Sequence, residues 1–285
     1  MKGIILAAGK GSRLYPMTRP VCKPLLPVYD KPMIYYPLAA LLQAGIRDIL
    51  IIIPPGEEGP FYRLLGSGGR FGVNITYEVQ EVARGIADAL LIGEQFVGND
   101  DVCLILGDNI FYSPDFERYL QQALAYPVGG RVFGYYVEDP RAFGVVEFDE
   151  AGCAVSIEEK PRYPKSNYII PGLYFYDNSV MEIARNLQPS ARGELEITDV
   201  NLEYLRRGAL HVVTLDHDFV WLDAGTVDNL LSAAQEIKRV QDETGRYVAC
   251  PEEIAYQRGY ISHQTVLRHA ADLDKTLYGR YLECL

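Results

Sequence analysis

Short runs of consecutive apolar residues alternate with longer stretches of helical spacing through the first half of the chain. The runs at Gly3–Ala7, Ile49–Ile53, Ile75–Val79 and Val102–Leu106 read as strands. Between them, Lys31–Ala44, Glu57–Leu65 and Gly85–Gln95 read as helices. This alternation predicts βαβ units, a parallel sheet and ligand sites at the carboxyl ends of its strands. From Arg131 the texture changes. Val132–Val137, Gly144–Phe148, Ala154–Glu158 and Leu173–Tyr176 follow one another without long helices, which predicts an antiparallel or mixed extension of the sheet. Helical spacing returns at Ser179–Asn186 and Ile197–Arg206, followed by a strand at Leu210–Leu215. Thr226 is placed to cap a helix whose apolar face is Leu230, Ala233, Ala234, Ile237 and Val240. Short helices are expected over Pro251–Leu285.

Composition narrows this picture. With 38 acidic against 27 basic side chains the formal charge is −11, which argues against a nucleic acid partner. Five cysteines at wide spacing, Cys22, Cys103, Cys153, Cys250 and Cys284, lack any metal-binding pattern and read as reduced thiols. There is no 18-residue apolar run and no signal-like opening, so the expectation is a cytoplasmic protein without membrane attachment.

The first strand runs into Leu6-Ala-Ala-Gly9-Lys-Gly11-Ser-Arg13-Leu-Tyr-Pro16. Two glycines here could bring backbone N–H groups close to a phosphate. Leu14 stands where a dinucleotide fingerprint needs its third glycine, and no P-loop pattern is present, so a dehydrogenase and a P-loop ATPase both lose ground. Arg13 and Lys23, on a segment stiffened by Pro16, Pro20 and Pro24, would suit a triphosphate that loses pyrophosphate. From spacing alone, a glycine turn with two solvated cations fits equally well.

Longer matches separate these readings. LAAGKGSRLYPMT followed by Lys23-Pro24 resembles the signature of the sugar-1-phosphate nucleotidyltransferases. The segments VYDKPMIYYPL, AGIRDILII, LGDNIFY, FGVVEFD, EEKPRYPKSNY, GLYFYDN, PSARGELEITDVN, WLDAGT and PEEIAYQRGYIS resemble the short bacterial glucose-1-phosphate thymidylyltransferases, in order and over nearly the whole chain. The resemblance implies an α/β, Rossmann-like fold with a mixed, mainly parallel sheet, a sugar-binding insertion and a small helical C-terminal lobe. The implied layout is a nucleotidyltransferase domain over 1–245, with a nucleotide part at about 1–130 and a sugar part at about 131–225, then a lobe over 246–285. It also implies a homotetramer.

The implied reaction joins dTTP to glucose 1-phosphate and releases pyrophosphate. Such in-line phosphoryl chemistry needs positioning and charge neutralisation rather than a protein nucleophile. By the same resemblance Asp108 and Asp223 would hold Mg2+, and Arg13 and Lys23 would bind the triphosphate. Leu6, Ala8, Gly9, Gly11, Gln80 and Gly85 would surround the nucleotide, Gln80 at the base. Lys160 and Arg192 would hold the sugar phosphate, with Glu159, Gly144, Asn109 and Tyr174 around the sugar. Trp221, two residues before Asp223, reads as structural support for the metal-binding turn, and the four histidines as ordinary ones. A non-catalytic nucleotide-sugar sensor could keep this pocket, but the joint presence of Arg13, Lys23, Asp108, Lys160, Arg192 and Asp223 favours turnover.

The chain departs from the branch mainly around the nucleoside. Pro24 replaces a Gln, Ala83-Arg84 replaces Pro-Asp before Gly85, and Asp88 replaces a Gln. Ile170-Pro171 differs near the sugar pocket, and Asp216-His217-Asp218 stands where the family carries Gly-Arg-Gly at its regulatory nucleotide site. The changes bear on base, ribose and sugar choice. UTP is therefore the runner-up nucleotide, and another hexose 1-phosphate the runner-up acceptor.

Overall fold

The computed structural model describes all 285 residues, Met1–Leu285. A ten-stranded sheet forms its spine. Strands Lys2–Leu6, Asp48–Ile53, Asn74–Val79 and Val102–Leu106 make its parallel half, with Lys2–Leu6 between Asp48–Ile53 and Val102–Leu106, and Asn74–Val79 at the edge. Leu173–Tyr176 then pairs antiparallel with Val102–Leu106 and hands the sheet on to Gly130–Tyr136. Tyr168–Ile169, Gly144–Phe148 and Ala154–Glu159 continue antiparallel, and Leu210–Thr214 runs parallel to Gly130–Tyr136.

Both faces of the sheet's centre are buried, which is why strands Lys2–Leu6, Asp48–Ile53, Val102–Leu106 and Leu173–Tyr176 read as near-continuous apolar runs, whereas the edge strand Asn74–Val79 alternates. Ile5, Ile49, Ile51, Cys103, Ile105, Phe133 and Phe175 point to one face, under helices Tyr35–Gln43, Glu58–Leu65 and Phe116–Leu124. Ile4, Leu50, Ile52, Val102, Leu104, Val132 and Tyr174 point to the other, under Asp88–Ile92, Val180–Asn186 and Ile197–Arg206. Such alternation is the period-two geometry of a strand.

Two expected helices differ from the structure, and one helix was not expected. Over Lys31–Ala44 the helix starts only at Tyr35, because Lys31–Pro32 pairs with Pro27–Val28 as a short hairpin. Over Gly85–Gln95 it starts at Asp88, after Gly85 at φ +106°, and Gly93 separates it from a further turn at Glu94–Val97. Helix Phe116–Leu124 carries its signal in Phe116, Tyr119, Leu120 and Ala123 but was not among the expected elements.

Thr226 caps helix Val227–Thr244 by accepting from the Asn229 amide at 3.2 Å, and the helix buries Ala233, Ile237 and Val240 against Val28, Met33 and Ile110. Helices Pro251–Gln257, His263–Asp272 and Leu277–Glu283 follow. The first joins the main core through Ile254, whereas Val266, Ala270, Leu282 and Cys250 form a small core of their own. All five cysteines are free thiols. No helix is long and apolar enough to cross a membrane.

Candidate active site

The carboxyl ends of the parallel strands and the antiparallel extension enclose a cleft of about 460 Å³. Eight of the expected site residues line it: Arg13, Asp108, Asn109, Gly144, Glu159, Lys160, Tyr174 and Asp223. They come from distant parts of the chain, and one small element brings the two aspartates together. Strands Asn109–Tyr112 and Val220–Asp223 form a two-stranded antiparallel ribbon whose register sets Asp223 opposite Asn109, beside Asp108. The local sequence signals neither strand clearly. Each has four residues, and they lie about a hundred residues apart.

The carboxylates are held from several sides. Lys23, buried where the Lys23–Leu25 turn returns under the first loop, is ion-paired with Asp108 Oδ2. Asn109 Nδ2 donates to Asp108 Oδ1 at 3.1 Å. Asn109 Oδ1 in turn accepts from Trp221 Nε1 at 2.8 Å and from the Gly172 amide at 3.0 Å. Trp221 thus acts through Asn109 on Asp108. Burial and the neighbouring Asp108 push the Asp223 carboxyl up to about 6, against the pull of Lys23 and Arg13. Gly225 leaves room for this group, since a Cβ there would stand 3.0 Å from Asp223 Oδ2. Two carboxylates crowded at the mouth of a polar cleft present hard oxygen donors, a set that suits a divalent cation sharing its remaining positions with phosphate oxygens and water.

The first loop leaves Lys2–Leu6 through Ala7, whose amide donates to Ile52 O, and passes Ala8, Gly9 and Gly11 before the Ser12–Leu14 turn carries Arg13 to the cleft. Space around Gly9 is open. Gly11, at φ +59°, would bring a Cβ within 3.0 Å of Lys23 and Thr18, so glycine lets the loop close over the lysine. Gly85 is bound more tightly still: at φ +106° its Cβ would lie 2.4 Å from Leu195 O. Gly85 therefore fastens its loop to the segment before helix Ile197–Arg206, which Leu195 N→Arg84 O and Ala87 N→Leu195 O also tie down.

On the far wall, Glu159 ends a strand and Lys160 follows at φ +46°, a left-handed conformation rare for lysine and of the kind that gathers at functional sites. Glu159 Oε1 lies 3.2 Å from both Lys160 Nζ and Arg192 Nη2, and Oε2 accepts from Thr198 Oγ1 at 2.5 Å. Arg192 is also gripped by Glu196, with Nη2 at 2.8 Å from both of its oxygens, and approached by Glu194 at 3.4 Å. Sequence reasoning missed Thr198 and Glu196, which the ELEIT run holds in plain view but which only the tertiary fold sets against Glu159. Lys23, Leu6, Ala8, Gly9, Gly11, Gln80, Gly85 and Arg192 lie outside the lining of this cleft. Lys23 reaches it through Asp108 and Arg192 through Glu159.

Gln80 follows directly on the edge strand Asn74–Val79. Three strand spacings, roughly 14 Å, separate that strand from the one leading to Asp108. A nucleoside triphosphate laid along the carboxyl ends of the strands would span such a distance. This is the crevice in which open α/β sheets bind nucleotides.

Comparison with known proteins agrees. Residues 2–240 match the nucleotidyl transferase family model, and the chain belongs to that family. It is 55% identical over 282 residues to a glucose-1-phosphate thymidylyltransferase of Neisseria gonorrhoeae, covering 99% of this chain and 98% of that one. The corresponding enzyme of Mycolicibacterium smegmatis is 52% identical over 282 residues, with the same coverage. A Bacillus anthracis structure assigned as a glucose-1-phosphate thymidylyltransferase, in complex with a sucrose, superposes at TM-score 0.77 and 47% identity, covering 83% of this chain and 94% of that one. A UDP-glucose pyrophosphorylase complexed with UDP-glucose shares the fold at TM-score 0.73 and 23% identity, covering 84% and 98%. Within the family, the chain falls among the glucose-1-phosphate thymidylyltransferases.

Proposed function

We propose that the cleft transfers a thymidylyl group from dTTP to glucose 1-phosphate, with Mg2+ held by Asp108 and Asp223. The observation that carries this reading is the joining of those two carboxylates by one ribbon, with Arg13 and Lys23 on one side and Lys160 and Glu159 on the other. The amides of the Gly9–Gly11 loop bind the triphosphate, and Lys23 and Arg13 neutralise it, Arg13 on the pyrophosphate. Lys160 and Arg192 hold the phosphate of the sugar. That phosphate, with a second pKa near about 6, is already mostly dianionic at neutral pH and needs no general base. One of its oxygens bonds to the α-phosphorus as the bond to the bridging oxygen of pyrophosphate breaks, and the electron pair leaves with pyrophosphate. The bound Mg2+ would supply positive charge to the α-phosphate and pyrophosphate oxygens.

Pyrophosphate release at fixed glucose 1-phosphate, compared across dTTP, UTP, CTP, GTP and ATP, tests the reading. Dominant use of dTTP is expected, and dominant use of a purine nucleotide overturns it. Running dTTP against other hexose 1-phosphates tests the acceptor in the same way. Light scattering in solution tests the homotetramer that goes with this reading.

A further inference from the structure

Apart from the phosphate and metal groups, two buried polar side chains meet at the base end of the crevice. Gln80 Nε2 donates to Asp88 Oδ2 at 2.8 Å. Asp88 is wholly buried in the first turn of its helix. Its other oxygen, Oδ1, accepts no hydrogen bond but lies 2.8 Å from Arg84 Nη2 as an ion pair. These are two of the positions where the chain departs from its branch.

A carboxylate only accepts hydrogen bonds, so the Gln80 amide has one orientation open to it: NH2 toward Asp88, carbonyl Oε1 away. Oε1 has no donor within the protein and is not among the atoms sealed from solvent. It is an acceptor with the second N–H of the amide beside it. Thymine and uracil present a donor at N3 and an acceptor at O4, which complements that edge. Cytosine presents an acceptor at N3 and a donor at N4, which complements the same amide only when it is flipped.

We infer that Asp88, paired with Arg84, is a positioning residue that locks the Gln80 amide in the orientation that reads thymine or uracil and rejects cytosine. The inference rests on the proposal that Gln80 faces the base. Ribose plays no part in it, so the comparison is made between dTTP and dCTP.

The test is kcat/KM for dTTP and for dCTP, at saturating glucose 1-phosphate and Mg2+, in the wild type and in Asp88→Asn. The variant keeps the size of the side chain, but its own amide can offer either a donor or an acceptor, so the Gln80 amide is free to turn. The dTTP/dCTP ratio is expected to narrow by about tenfold or more, the discrimination of a good bidentate contact, while KM for glucose 1-phosphate stays unchanged. A purely structural role for Asp88 would lower both values together and leave the ratio as it was, and that result overturns the inference. Arg84→Met, at an exposed side chain, covers the case in which Asp88→Asn does not fold. It removes the cation that pairs with Asp88 Oδ1, so the carboxyl is free to turn and loosen its hold on the Gln80 amide, and the same narrowing is expected. A wild type that uses dTTP and dCTP equally well also overturns the inference. A wild type that prefers dATP or dGTP overturns the thymidylyl reading itself, which is a separate result.

Discussion

Asn109→Ala probes how the site is held together. Asn109 is buried and makes three side-chain hydrogen bonds: to Asp108 Oδ1 at 3.1 Å, from Trp221 Nε1 at 2.8 Å and from the Gly172 amide at 3.0 Å. Alanine leaves the Gly172 N–H buried without an acceptor, which costs about 1–3 kcal/mol. Trp221 is only partly buried, so water can reach its Nε1 and the loss there is nearer to ~0.5–1 kcal/mol. The sum, about 2–4 kcal/mol, corresponds to a fall in melting temperature of roughly 5–12 °C for a chain of this size. Asp108 meanwhile keeps its ion pair with Lys23 but loses the donor that fixes its second oxygen. Activity should therefore fall by about tenfold or more through kcat, with little change in the KM of either substrate. Trp221→Phe gives the internal comparison. It removes one donor, leaves the Gly172 contact in place, and keeps a ring against Tyr135 and Phe143, so both losses should be smaller. Thermal unfolding and pyrophosphate release on the two variants decide the matter. If Asn109→Ala lies within about 1 kcal/mol of wild type and within twofold in kcat, the chain from Trp221 to Asp108 carries no function.

Other predictions test separate parts of the site. Asp108→Asn and Asp223→Asn should each abolish pyrophosphate release while circular dichroism shows the fold intact, and chelation of the wild type should stop turnover until Mg2+ is restored. Gly85→Ala, which forces a Cβ to 2.4 Å from Leu195 O at φ +106°, should lower stability by about 2–4 kcal/mol in urea titration, whereas Gly9→Ala, in open space, should unfold like wild type and lose kcat/KM for the nucleotide. Arg192→Ala should raise KM for glucose 1-phosphate about tenfold with kcat nearly unchanged, as expected of a cation that binds but does not react. For Asp177, burial opposes ionisation, but bonds from Ser179, the Gly129 amide and Tyr204 outweigh it and hold the carboxyl below its usual 3.8. Its contribution is thus complete above that value and lost as pH falls through the lower, folded one, so Asp177→Asn should flatten the acid limb of a stability–pH curve.

Much of the fold could be read from the sequence because its strands are buried on both faces. Among the central strands, Val102–Leu106 and Leu173–Tyr176 begin and end where their apolar runs do. Thr226 was legible for a different reason, a local one: its hydroxyl serves an amide three residues along. The residues that line the cleft were named in sequence through the resemblance, but their couplings were not legible. Glu159 meeting Thr198 and Arg192, Trp221 reaching Asn109, and Gln80 bonded to Asp88 are contacts fixed by strand register and helix packing. No periodicity in the sequence encodes them. The late start of the Tyr35–Gln43 helix has a similar origin, since the pairing of Lys31–Pro32 with Pro27–Val28 overrides local helical spacing.

On the proposed reading, the charges of the cleft decide how an acidic protein would bind a highly charged anion. With a formal charge of −11 the surface at large offers a nucleotide no attraction. Of the four cations, Lys23 is already paired with Asp108, Lys160 with Glu159, and Arg192 with Glu159 and Glu196. Each is thereby held in position before substrate arrives. On the proposed reading, arriving phosphates compete with carboxylates for three cations, while Arg13, exposed over the cleft, has no carboxylate partner and is free from the start. The exchange favours the substrate only if the displaced carboxylates gain partners in turn. Asp108 can gain the divalent cation, and Glu159 keeps the Thr198 hydroxyl and can take up sugar hydroxyls. Metal, nucleotide and sugar phosphate should therefore bind with positive coupling, each relieving a carboxylate that another has deprived of its lysine or arginine. Calorimetric titration of dTTP with and without Mg2+ measures this directly: the same affinity in both would refute the exchange.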